Sequence, residues 1–448
     1  MVPGLNPTGE HVVPAISDGA PRPQHRLVAL LLRFRNQLAN LTAFTILQAA
    51  SYLIPVVTIP YFARTLGIAG MGQLAIAGAV ALAAGVLMDY AIQLSGTRFA
   101  ASHAEDHVAI NHYLNATLMV KLAILLPVML GLGVADLLLA QVGAHFWVFF
   151  WSLMSAAMIC LFPQWLFQGL LIMPLAARIL VSCRVVAAVA AMLLVRSPAD
   201  AYLVPMMQAI GGMIALVATT GMLRRRFGIV PGRPLPGRSQ ALLKENWTLF
   251  SATAWGAAYS HGAIIIMSTM LSATSIGYYS IAQKISQAFI SMFNVAAQTG
   301  FPTFVRTHGR DAASFGGQVR LYMAVVVFAA AIALLAMFAV RDTLYVFFAG
   351  QHSSAGVQVF SLWLAASLFT IISVSLNPVM VVLRLDGQMA RVYRYTGLTF
   401  LAAAPIACAH FGVLGMATAT LITEGSMALF CAVSVTGGLR RINRSDAR

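Results

Sequence analysis

The chain has 448 residues, 60% hydrophobic and 9% charged, where a soluble globular domain carries about 25% charged residues. This excludes a soluble domain. The continuous apolar runs also exclude a β-barrel, whose strands alternate. The net charge of +15 invites a nucleic-acid reading, but the basic residues are sorted by side of a membrane rather than gathered in a patch, which removes nucleic acid as a partner. The expected class is an all-α polytopic membrane protein, since the apolar runs approach the roughly 20 residues that cross a bilayer.

In chain order, residues 1–25 are rich in Pro and Gly without an apolar core. They are expected to form a disordered cytoplasmic tail, not a cleavable signal peptide. From Arg26 to Leu38, the residues Leu27, Leu30, Leu31, Phe34 and Leu38 recur at helical spacing opposite Arg26, Arg33 and Gln37. That pattern fits either a short interfacial helix or an extension of the first span. Twelve transmembrane spans are expected, at 41–62, 73–94, 112–134, 144–162, 174–195, 200–222, 247–270, 275–300, 320–340, 355–376, 391–410 and 412–436. Lys and Arg gather in the tails and in alternate loops. Only Arg64, Arg196 and Arg341 fall on the other side, and Lys121, Arg184 and Lys284 fall inside spans. This asymmetry predicts a multi-pass protein with both termini cytoplasmic.

The stretch 224–246 is basic and rich in Pro and Gly, and it divides the spans six and six. It predicts a cytoplasmic linker between an N-terminal lobe, 26–223, and a C-terminal lobe, 247–436, followed by a basic tail, 437–448. A repeat supports the division. Asn40 to Phe44 (NLTAF) parallels Asn246 to Phe250 (NWTLF), and LGIAGMGQLAIA (Leu66 to Ala77) parallels LSATSIGYYSIA (Leu271 to Ala282). Two halves entering the membrane from the same side imply an axis along the membrane normal and a central cavity between six-helix bundles.

Several of these residues also carry a family resemblance. Pro60-Tyr-Phe-Ala-Arg64-Thr-Leu-Gly67, the turn Gly70 to Gln73, and Asp89-Tyr90 followed by Arg98 resemble segments of the Wzx-type oligosaccharide flippases. These form the polysaccharide-transport branch of the multidrug/oligosaccharidyl-lipid/polysaccharide exporter superfamily. Pro163, Trp165 and Gly169, the turn Gly277 to Ala282, and Phe301-Pro302 are also similar. Ala91 departs from the pattern, since Gly commonly follows Asp-Tyr, and this should alter helix packing there. The resemblance implies a MATE-like fold in the bacterial inner membrane. It also implies alternating-access flipping of undecaprenyl-pyrophosphate-linked oligosaccharides without covalent chemistry. A polysaccharide polymerase or export proteins are candidate partners.

Charges inside the membrane are costly, so they face protein or water and often have a role. Lys284, Lys121 and Arg184 make the interior cationic and suit a pyrophosphate. Lys284, Gln287, Ser291, Asn294 and Gln298 form one helical stripe, which either lines the cavity or bonds a neighbouring helix. Gln287 and Asn294 suit sugar hydroxyls, and Arg64 is a further candidate substrate contact near the periplasmic edge. Lys121 has a second reading, as a structural partner of Asp89. Asp89 and Arg98 are a candidate gating pair or headgroup contact. Glu424 and His261 are candidate sites for coupling to H+ or Na+, each with a packing alternative. The cluster His103, Glu105, Asp106, His107 and His112 lacks firm metal-ligand spacing and is expected to be a solvated loop, leaving no metal and no organic cofactor. The four cysteines read as small buried hydrophobes. Nucleotide-binding and hydrolase fingerprints do not appear, so no enzyme is expected. An ion-coupled drug or metabolite antiporter of the same architecture is the alternative, and it would need an acidic cavity. A glycan polymerase would need a larger outer loop.

Overall fold

The computed structural model describes residues 23–230, 232, 235–308 and 312–445, and these are helical with short connections. The first half contains α1 (Pro23–Asp89), α2 (Ile92–Ser102), α3 (His107–Leu138), α4 (Ala140–Gly143), α5 (Phe146–Leu161), α6 (Gln164–Gly169), α7 (Met173–Leu194), a 3-10 turn (Pro198–Tyr202) and α8 (Leu203–Phe227). The second contains α9 (Arg238–Ser268), α10 (Ala273–His308), α11 (Ala312–Ala339), α12 (Arg341–Ala349), α13 (Ser354–Val382) and α14 (Asp386–Ser445). Among the described residues, 8 helical stretches are long and apolar enough to cross a membrane. Two of them, Thr45–Ser102 and Gly387–Arg440, have 58 and 54 residues, more than one crossing needs.

Glycine produces the bends in these long stretches. Gly67 has φ 72 and ψ 171, and Gly412 has φ 58 and ψ −139. Neither conformation suits a residue with a Cβ. The chain therefore reverses at each point without a loop, so α1 comprises two legs, 23–66 and 68–89. Its first leg is one continuous helix from Pro23, so the extension reading, rather than a separate interfacial helix, describes the backbone of 26–38. The predicted disordered tail falls almost wholly on residues 1–22, outside the described residues.

The apolar surface is distributed as a membrane protein requires. Leu126, Leu130 and Leu137 on α3, and Leu321, Phe328 and Leu335 on α11, are exposed and form lipid-facing flanks at corresponding places in the two halves. Inside, one core spans both halves at the end carrying the Gly67 bend, joining Ile59, Phe62, Leu66 and Met71 to Ile276, Tyr279 and Phe360. At the opposite end the cores separate. One holds Ile110, Trp165 and Phe167 of the first half, and the other holds Phe315, Val379 and Cys431 of the second. At this opposite end Tyr90, packed against the first half's core, stacks on Phe250 of α9 with ring centroids 4.3 Å apart.

The expected linker is not a free tether. Leu242 of α9 and Ile229 are buried in the first half's core. Asn111 Oδ1 accepts from the Val230 N–H and Asn115 Oδ1 from the Gly232 N–H, at 3.2 and 2.8 Å. The Arg238 guanidinium lies over Tyr113. These contacts fix the connection to the first half, and α9 carries the chain from there into the second.

Candidate functional site

A cavity of about 500 Å³ lies among α1, α5, α7 and α8 of the first half, with Lys284 of α10 entering from the second. Its wall is apolar along Ile54, Leu82 and Ile159, and polar at Ser51, Thr58, Ser152, Ser155, Gln164 and Gln208. Its charged lining residues are Arg184 and Lys284, with no carboxylate among the described lining. The Arg184 guanidinium donates to Ser51 Oγ at 2.6 Å, and Ser51 Oγ donates to the Leu47 carbonyl at 2.9 Å. This relay ties α7 to α1 and fixes the guanidinium without neutralising it. Lys284 has no hydrogen-bond or ion-pair partner among the described residues. Two unneutralised cations over hydroxyls and amides form a site for an anion whose neighbouring groups accept and donate hydrogen bonds.

The other predicted residues lie elsewhere. Lys121 is 4% exposed, and its Nζ donates to Asp89 Oδ1 at 3.2 Å and to the Cys160 carbonyl at 2.6 Å. It is held in a buried ion pair joining α3, α1 and α5 instead of lining this cavity. Its neighbours in space come from distant sequence, which the helical pattern alone does not reveal. Asp89 consequently pairs with Lys121 and not with Arg98, which is exposed on α2. Gln287 and Asn294 share a helix with Lys284 but are not among the residues lining this cavity, and Gln298 falls among side chains outside the description.

Arg64 bridges the halves at the bend end. It donates to the Phe347 carbonyl at 2.9 Å and lies over the Phe347 ring. In the second half, the Tyr259 hydroxyl donates to Glu424 Oε1 at 2.7 Å, joining α9 to α14 away from the cavity. His261 is half-buried on α9.

The polar residues around His103 have structural partners. Asp106 Oδ1 caps α3 by accepting from the Ala109 N–H at 2.9 Å, and His103 stacks on Phe99. Among the described residues, no three His, Cys, Asp or Glu side chains converge as a metal site. Ala91 adopts φ 56 and ψ 18, so its departure from the expected Gly bears on backbone strain more than on packing. Sequence reasoning missed Ser51 and Gln208; Gln208 is a single amide in an apolar run and could have been found by its isolation, whereas Ser51 sits one turn after Gln48 and beside Tyr52 and does not stand out.

Comparison with known proteins agrees with this architecture. The family described as polysaccharide biosynthesis protein matches residues 37–308. A protein of Shigella dysenteriae named as an O-antigen transporter is 23% identical over 393 residues, which cover 87% of this chain and 98% of that protein. Among solved structures, an inward-facing multidrug-resistance MATE transporter of the MOP superfamily superposes with a TM-score of 0.58 at 12% identity, covering 91% of this chain and 95% of that one. The lipid II flippase MurJ in an inward closed conformation gives 0.50 at 12% identity, covering 93% and 90%.

Proposed function

This chain belongs to the polysaccharide biosynthesis protein family and has a MATE-like transporter fold, and from that premise we propose that it flips a lipid-linked oligosaccharide across the bacterial inner membrane. The observation that carries the proposal is the cavity charge. Arg184 and Lys284 line it with no carboxylate among the described lining, which suits the pyrophosphate of an undecaprenyl-linked repeat unit. The hydroxyls and amides beside them suit the first sugars, and the apolar wall suits the start of the polyprenyl chain. The same charge opposes an antiporter of organic cations.

Movement is by alternating access, with the termini cytoplasmic. The shared core at the bend end is then the periplasmic closure, and the separate cores face the cytoplasm. Coupling to a proton or sodium gradient is assigned to Glu424, which lies clear of the anion cavity, with His261 on the neighbouring helix. Asp89, held by Lys121, is assigned to structure.

Deletion of the gene tests the function. Lipid-linked repeat units should accumulate on the cytoplasmic leaflet and surface glycan should fall. Normal glycan export in the deletion strain would overturn the proposal.

A further inference from the structure

The two copies of the sequence repeat pack on each other, and they do so reciprocally. Gly72 and Gly277 occupy the same repeat position, as do Ile68 and Ala273. A Cβ built on Gly72 would fall on the Ala273 carbonyl, and one built on Gly277 would fall on the Ile68 carbonyl. The pseudo-two-fold axis therefore passes through this contact, where the second leg of α1 meets the start of α10 with no room for side chains. Arg64 adds its hydrogen bond to the Phe347 carbonyl at the same end.

Lys284 lies two turns beyond Gly277 on α10, about 10 Å along the axis and on nearly the same face. The face that seats glycine on glycine is thus the face that delivers Lys284 into the first half's cavity. Arg184, tied to Ser51 on α1, belongs wholly to the first half. The cavity holds two cations while the contact is closed. A rotation of α10 away from α1 at the bend end would carry Lys284 out with the second half and leave Arg184 alone.

We propose that the Gly72–Gly277 contact is an affinity switch, in which closure at the bend end supplies the cavity's second cation and opening withdraws it, releasing the anionic headgroup. This rests on the anion reading of the cavity given above. It makes release a consequence of the motion that exposes the site to the far side. Loss of one charge-assisted contact corresponds to roughly a tenfold to hundredfold loss of affinity.

The test uses the full chain in detergent, farnesyl diphosphate as probe, and Gly277→Leu, Lys284→Gln and their combination. Binding is measured by calorimetry. In a cysteine-free background, spin labels at Ala144→Cys and Gln351→Cys report the separation of the halves at the bend end without ligand. Gly277→Leu should lengthen that distance and weaken binding tenfold to hundredfold, matching Lys284→Gln, and the combination should be no weaker than either alone. Gly72→Ala, which meets the Ala273 carbonyl on the reciprocal side of the contact, replaces Gly277→Leu should that variant fail to fold. An unchanged distance overturns the switch. So does a longer distance with wild-type affinity, or two losses that multiply. Absence of binding by the unmodified protein would overturn the anion reading instead, while the distance arm still decides whether the glycines hold the end closed.

Discussion

The buried ion pair between Lys121 and Asp89 gives the sharpest test of the site assignment, because its two ends are unequal. Lys121 is 4% exposed and depends on Asp89 and one carbonyl, whereas Asp89 is 29% exposed and also accepts from the Gln93 N–H. Asp89→Ala leaves a buried ammonium with one neutral acceptor, and breaking a buried pair this way costs about 3–5 kcal/mol. Lys121→Met leaves a carboxylate that solvent and a backbone donor still reach, for a cost of about 2 kcal/mol. Removing both charges, in Asp89→Leu with Lys121→Met, should recover most of the Asp89→Ala loss, since apolar replacement of a buried pair is often near neutral. Reversible unfolding of the purified protein in mixed micelles, followed by tryptophan fluorescence, measures all three. Glycan export in cells carrying the double variant, scored at matched protein level, should stay close to normal. A structural role for the pair is refuted if Lys121→Met is as costly as Asp89→Ala, or if a folded double variant no longer exports, since Lys121 would then belong to the transport path.

Three other outcomes follow from particular residues. Ala91→Gly should raise stability by up to about 1 kcal/mol in the same unfolding assay, because Gly takes φ 56 without the Cβ penalty. Arg64→Ala removes the hydrogen bond to Phe347 across the halves, so the distance between spin labels at Ala144→Cys and Gln351→Cys should lengthen or broaden at the bend end; an unchanged distance would show that Arg64 does not hold that end. Ser51→Ala frees the Arg184 guanidinium but leaves its charge, so farnesyl diphosphate binding should weaken less than tenfold, and less than in Arg184→Gln. Equal losses in the two would mean that orientation, not charge, governs the site.

Much of this was legible in the sequence. The resemblance carried by Pro60 to Gly67 and its companion segments led to the right family, and apolar run length led to an all-helical membrane fold. Arg184 and Lys284 stood out because a lone cation in an apolar run is costly wherever it points. Lys121 stood out for the same reason, and its different placement shows the limit of that signal. Whether such a cation meets a cavity or a carboxylate depends on which distant helix packs beside it, and hydropathy does not encode that. The repeat match between Gly72 and Gly277 was visible as a correspondence, but its role as a contact appears only when the two helices are brought together. The docking of the linker on the first half was hidden for a related reason. Its Pro, Gly and Arg residues dominate its composition, while Ile229 and Leu242, the two residues that dock it, are too few to register as a pattern.

In the proposed mechanism two cations, one from each half, hold the anionic headgroup of the transported lipid. This role is tested most directly by reconstituting the purified protein into liposomes with a polyprenyl-diphosphate-linked oligosaccharide and following its leaflet transfer by accessibility to an external glycosidase. The wild-type protein should speed transfer over protein-free liposomes, and the folded double variant Arg184→Gln with Lys284→Gln should lose at least about tenfold of that rate, the loss expected for one charge-assisted contact. Transfer by the double variant at the wild-type rate would show that these two cations do not hold the headgroup.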